Sequence, residues 1–124
     1  MLFRSTEPVK PVIDVPKPGK KIPVGDGSPV TMNIGDNVTA ASNTTITVKC
    51  PVSGVPTPSV TWTKDGIEIT PGDNIFFTSE NSLVIKQAEA DDSAKYNCDV
   101  QGLTGSDSAS STVQIVGQYL YGIR

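Results

Sequence analysis

From residue 29 onward, hydrophobic and polar positions alternate in short runs. Ile46, Val48 and Cys50 alternate with Thr45, Thr47 and Lys49, and Val60 and Trp62 alternate with Thr61 and Thr63. The same period of two returns at Leu83 and Ile85, at Tyr96, Cys98 and Val100, and at Ala109, Ser111, Val113 and Ile115. Successive side chains of a strand point to opposite faces, so each run predicts a strand with one wet face and one buried face. Val30 to Ile34 reads as a first edge strand, with Asp36 to Ala40 as its continuation after a break at Gly35. Ile67 to Thr70 and Ile75 to Thr78 add short middle strands.

Turn residues punctuate these runs at the intervals of a sandwich rather than of alternating strands and helices. Pro51, Gly54, Pro56 and Pro58 predict a loop, and Asp65-Gly66 and Gly102 to Gly105 predict hairpins. Glu89 to Ala94 predicts a polar corner with at most one helical turn. The fold class is therefore all-β.

The ends of the chain differ from this middle. Residues 1–28 hold five prolines (Pro8, Pro11, Pro16, Pro18 and Pro23) among lysines and glycines. Proline fixes φ and lacks an N–H, so this stretch predicts an extended linker or tail. Val9, Val12, Ile13 and Val15 are apolar enough to lie against a neighbouring surface. Residues 118–124 are expected as a C-terminal extension, leaving one domain over 29–117. The start, Met1-Leu2-Phe3-Arg4-Ser5, lacks the apolar core of a signal peptide. An exported domain of this kind is expected to be a fragment whose signal lies elsewhere or has been removed.

Composition then narrows the chemistry. The 124 residues carry a net charge of −3, with +2 on residues 1–28 and −5 on the remainder. An acidic globule lacks the basic footprint of a nucleic-acid binder. No apolar run approaches the ~18 residues of a membrane span, so no direct membrane insertion is expected. The chain has no histidine, which removes Ser-His-Asp and Cys-His catalysis and the commonest transition-metal ligand. Glu89, Asp91 and Asp92 lack the spacing to supply the six to eight oxygens of a calcium site. No phosphate-binding glycine motif is present. The expectation is a non-enzyme without metal or cofactor. The two cysteines either pair, in an oxidising compartment, or remain as two buried thiols.

One constellation organises the rest. Trp62 lies twelve residues after Cys50, Cys98 lies 48 after it, and Tyr96 stands two before Cys98. With the stretches VKCPVSGVPTPSVTWTKDG, NSLVIKQAEADDSAKYNC and GSDSASSTVQIV, the chain resembles the immunoglobulin superfamily, I-set, over positions 29–117. The wording around Cys50 and Trp62 is similar to modules of papilin-like and hemicentin-like matrix and cell-adhesion proteins. The resemblance implies a Greek-key β-sandwich of two antiparallel sheets, bridged by Cys50–Cys98 and braced by Trp62. It also implies core positions for Leu83 and Asp92 and a tyrosine corner at Tyr96. Family members often pair the residue at Asp92 with an arginine. Here Asn74 stands in that place, so Asp92 is expected to accept backbone N–H groups of its own corner. Where the family often has asparagine, this chain has Gly102.

The functional expectation is an extracellular interaction module of a matrix or adhesion protein, contacting protein partners, homophilic or heterophilic, with glycan or matrix contact as a further option. Two alternatives carry the same fold: an intracellular load-bearing module of a muscle-type scaffold, and an accessory module of a larger extracellular enzyme. Asn37-Val38-Thr39 and Asn43-Thr44-Thr45 match the N-glycosylation sequon. Leu103, Ile67, Ile69 and Phe77 are the candidate partner contacts, on a hairpin tip and on short middle strands.

Overall fold

A computed structural model describes residues 8–22 and 27–117. The C-terminal extension expected over 118–124 lies outside them, as do residues 1–7 and 23–26 of the expected linker.

Twelve strands follow one another along the described chain. The first five are β1 (Val9–Ile13), β2 (Lys21–Ile22), β3 (Val30–Asn33), β4 (Asn37–Ala41) and β5 (Ile46–Lys49). Then come β6 (Val52–Val55), β7 (Ser59–Lys64), β8 (Ile67–Glu68), β9 (Ile75–Phe77) and β10 (Leu83–Ile85). A single 3-10 turn at Ala90–Asp92 precedes β11 (Ala94–Gln101) and β12 (Ser106–Val116). One sheet has the order β3-β5-β10-β9, the other β2-β4-β12-β11-β7-β8, and β1-β6 forms a separate two-stranded ribbon.

The two larger sheets bury the alternating residues between them. Ile46, Val48, Leu83 and Ile85 come from one sheet, and Trp62, Tyr96, Cys98, Val100, Val113 and Ile115 from the other. Cys50, just past β5, is bonded to Cys98 on β11. Trp62 is the register partner of Cys98 on the adjacent β7, so indole and bridge share one layer of the core. Its Nε1–H donates to the Asn81 carbonyl at 3.0 Å, which satisfies the only polar atom of the indole.

Asp65 and Gly66 take φ values of +49° and +87°. This paired left-handed geometry matches the twist of the β7–β8 hairpin. The middle strands are antiparallel, but three outer pairings are parallel: β3 with β5, β4 with β12, and β2 with β4. Gly35 explains the first two. The segment expected as one edge strand with a break turns back at Asn33–Asp36, where the Asp36 N–H donates to the Asn33 carbonyl at 3.0 Å. Gly35 has φ +104°, which the third position of such a turn requires. The chain thus pairs with β5 in one sheet, turns, and pairs with β12 in the other.

The N-terminal stretch expected as a linker is extended, but its described residues are packed on the sandwich. β1 pairs antiparallel with β6, and Ile13 and Pro11 are buried. Residues 52–55, read as part of a loop from Gly54 and the prolines on either side, supply the partner strand. Prolines keep the chain extended without forbidding an edge strand, and apolar residues between them have surface to bury. Two carboxylates hold the segment. The Ile13 N–H donates to Asp107 at 2.9 Å, and the Lys20 N–H donates to Asp36 at 2.7 Å.

Candidate interaction surface

Tyr96 is buried at the corner between the 3-10 turn and β11, and its hydroxyl donates to the Asp92 carbonyl at 2.6 Å. Burial, with the Asp92 and Asp65 carboxylates adding to it, holds the phenol well above its ordinary pKa. The Asp92 carboxylate accepts the Glu89 N–H at 2.8 Å. It therefore acts within its own corner, while Asn74 accepts the Lys86 N–H through its backbone carbonyl. Leu83 is fully buried. These residues build the frame of the domain at this corner.

Among the described residues, no group of three or more His, Cys, Asp or Glu side chains is placed to hold a metal ion. No helix among them is long and apolar enough to cross a membrane. What the frame presents to solvent is apolar side chains. Ile67 on β8 is 73 % exposed and Leu103 on the β11–β12 hairpin 71 %. Ile69 and Phe77 are half-buried against the core. Ile69 and Ile75 line an open groove of about 450 Å³ beside Ile67, flanked by Lys64, Asp65 and Glu68. Of the four expected contact residues, Ile67 and Leu103 thus project freely, and Ile69 and Phe77 serve the core with one side. Ile67 and Leu103 sit on separate features, one on an edge strand and one on a hairpin tip.

A second exposed apolar group was not expected. Val9, Val12 and Val55 stand out from the β1–β6 ribbon. Their signal lay in the run Val-Lys-Pro-Val-Ile, whose valines are surplus to what a solvated linker needs.

Both sequon asparagines are exposed. Asn37 lies within β4, where its side-chain carbonyl accepts the Thr112 N–H at 2.8 Å. Asn43 sits in a left-handed turn at φ +74°, with its backbone N–H donated to the Ala88 carbonyl at 2.7 Å.

Comparison with known proteins agrees with this geometry. A family model described as immunoglobulin I-set domain matches residues 29–115. SPEG neighbor protein of Homo sapiens is 36 % identical over 83 residues, covering 64 % of this chain and 35 % of that protein. Hemicentin-1 of Mus musculus is 38 % identical over 84 residues, covering 64 % of this chain and 2 % of that protein. The chain therefore spans about a third of one relative and a small part of the other. Titin domain M7 superposes with a TM-score of 0.66 at 26 % identity, covering 89 % of this chain and 97 % of that one.

Proposed function

The chain belongs to the immunoglobulin I-set family, and from that premise we propose that it is a non-catalytic extracellular module that binds a protein partner. The observation that carries this reading is the fully buried Cys50–Cys98 bridge between the sheets, combined with Ile67 and Leu103 projecting into water. A bridge of this kind persists in oxidising compartments. Large apolar side chains at an edge strand and a hairpin tip gain free energy only when something covers them. The similarity to a matrix protein, hemicentin-1, supports the same assignment. In this reading Asn43, at an exposed left-handed turn, is the glycan acceptor.

The test has two arms. Mass spectrometry of protein recovered from its native source, alkylated before reduction, is expected to find Cys50 and Cys98 linked and a glycan on Asn43. Alkylated Cys50 and Cys98 would place the domain inside the cell. Ile67→Asp and Leu103→Asp chains should keep the fold, and at least one should lose capture of the partner that the unaltered chain retains. Equal capture by both variants would move the binding surface elsewhere. A second reading, an intracellular scaffold module, is favoured by the likeness to titin domain M7. The alkylation result separates the two.

A further inference from the structure

Ile67 lies on the core side of its sheet and is nevertheless in water. It is the register partner of Lys64, which stands two residues from the buried Trp62 on β7. Side chains alternate along a strand and register partners share a face, so Ile67 is on the face that carries Trp62. Ile69, whose N–H donates to the Trp62 carbonyl at 3.0 Å, follows on that face and is half covered. The opposite sheet ends at β9, a strand of three residues, and leaves Ile67 73 % exposed. The cover is one strand short.

β8 and β9 are the last strands of their sheets, so both ladders stop at this slot. The Thr78 N–H donates to the Ser82 carbonyl at 2.9 Å, and the Lys86 N–H to the Asn74 carbonyl at 2.7 Å. The even-numbered residues of β9 therefore bond to β10, and Phe77 directs its N–H and carbonyl to the open edge. The hollow over Ile67, Ile69 and Ile75 runs on past Glu68 to Phe77. A segment laid beside β9 can pair with Phe77 and set an inward side chain over Ile67.

The rim selects the charge of that segment. Asp65, Glu68 and Asp92 stand around the floor against a single lysine, Lys64. Asp65 and Asp92 accept only the backbone N–H groups of Lys95 and Glu89, which leave both charges in place. Lys64 turns its ammonium to the Asp91 carbonyl at 2.9 Å. Among the described residues none of the three carboxylates is in an ion pair. A second copy of the chain brings the same sign of charge, since residues 29–124 carry −5. A cationic segment complements all three carboxylates at once.

Resting on the protein-binding reading of Ile67, we propose that the slot between β8 and β9 takes an extended cationic peptide segment of the partner. The segment adds as a strand beside β9, with an aliphatic side chain over Ile67 and lysine or arginine at the rim.

A displayed library of random peptides is selected on the full chain, after removal of clones that also bind the Ile67→Ser chain. Retained clones should carry Lys and Arg over Asp and Glu at about threefold the ratio of the unselected library. A synthetic peptide of the commonest clone should bind Glu68→Lys about tenfold more weakly. It should bind Leu103→Asp, altered at the other exposed feature, as it binds the native chain. Methylating its backbone nitrogens in turn should weaken binding at alternate positions only. Trp62 fluorescence checks that each variant is folded. Clones without excess positive charge, indifference to Glu68→Lys, or no alternation would each overturn the proposal. So would a dimer of the native chain that Glu68→Lys abolishes, which gives the slot to a second copy. Partner capture lost in Ile67→Asp without any cationic preference would overturn this proposal and leave the protein-binding reading standing. Cationic peptides bound as expected, with partner capture unchanged in Ile67→Asp and Leu103→Asp, would uphold the slot and overturn that reading.

Discussion

Replacing Ile13 with alanine asks whether the proline-rich segment is part of the folded domain. Ile13 is 2 % exposed and sits in the same core cluster as Val100, with the half-buried Val52 packed against that cluster. The change removes three carbons, worth about 2.4 kcal/mol in transfer at ~0.8 kcal/mol for each buried carbon. Incomplete collapse of the space adds to that, giving about 3 kcal/mol in all. With a urea slope of about 1.5 kcal/mol/M, the midpoint should fall by about 2 M. The melting temperature should fall by about 12 °C, at ~4 °C per kcal/mol. Urea titration followed by the fluorescence of Trp62, the sole tryptophan, reads this directly. Gly102→Ala provides the companion measurement, because its new methyl group meets Pro11 and expels the same strand. If both changes act by undocking β1, the double variant should lose little more than the worse single one. A midpoint shift below about 0.3 M, the level of a surface substitution, would refute the reasoning. Full additivity of the two changes would refute their common cause.

Tyr96→Phe should lose about 1–2 kcal/mol by leaving the Asp92 carbonyl without its donor. Because the folded state raises the Tyr96 pKa, the unfolded chain releases that proton first, and stability falls as pH rises above about 10. The phenylalanine chain should lose less stability over that alkaline range than the native chain does, as urea midpoints at several pH values will show. Replacing both Cys50 and Cys98 with alanine opens a loop of 48 residues and should lower stability by about 4 kcal/mol in the chain-entropy account. An unchanged midpoint in calorimetry would contradict a structural role for the bridge. Thr44→Val should instead stabilise the domain by about 1 kcal/mol, because the buried Thr44 hydroxyl has no hydrogen-bond partner among the described residues. It also keeps the Asn43-Thr44-Thr45 sequon open to modification, and a lowered urea midpoint would count against it.

The frame was legible because its determinants are local or carried by rare residues. Alternation around Val48, Trp62 and Cys98 needs only a period of two, and a single tryptophan between two cysteines leaves few arrangements. The docking of β1 was not legible. Proline content argues for an extended chain, but the room for Pro11 is left by Gly102 and that for Lys10 by Gly105, over ninety positions away. A glycine read along the chain signals a turn, and only the folded structure shows that it is also a vacancy for a distant ring. Gly35 was partly legible: its break was readable, the change of sheet was not, because that depends on which strands offer open edges. Ile67 and Leu103 were readable as apolar residues near turns. Ile69 and Phe77 look the same in sequence and differ only in what packs beneath them.

The turn at Asn33–Asp36 joins three parts of the molecule at one point. The Asp36 carboxylate accepts N–H groups from Lys20 and Asn33, and the Gly35 N–H donates to Ser111 on β12. The N-terminal segment, the first strand of one sheet and the closing strand of the other are therefore knotted together by a single carboxylate and its neighbours. Loosening that junction would free all three at once, so the periphery of this domain has one cooperative hinge point where its architecture suggests several independent seams.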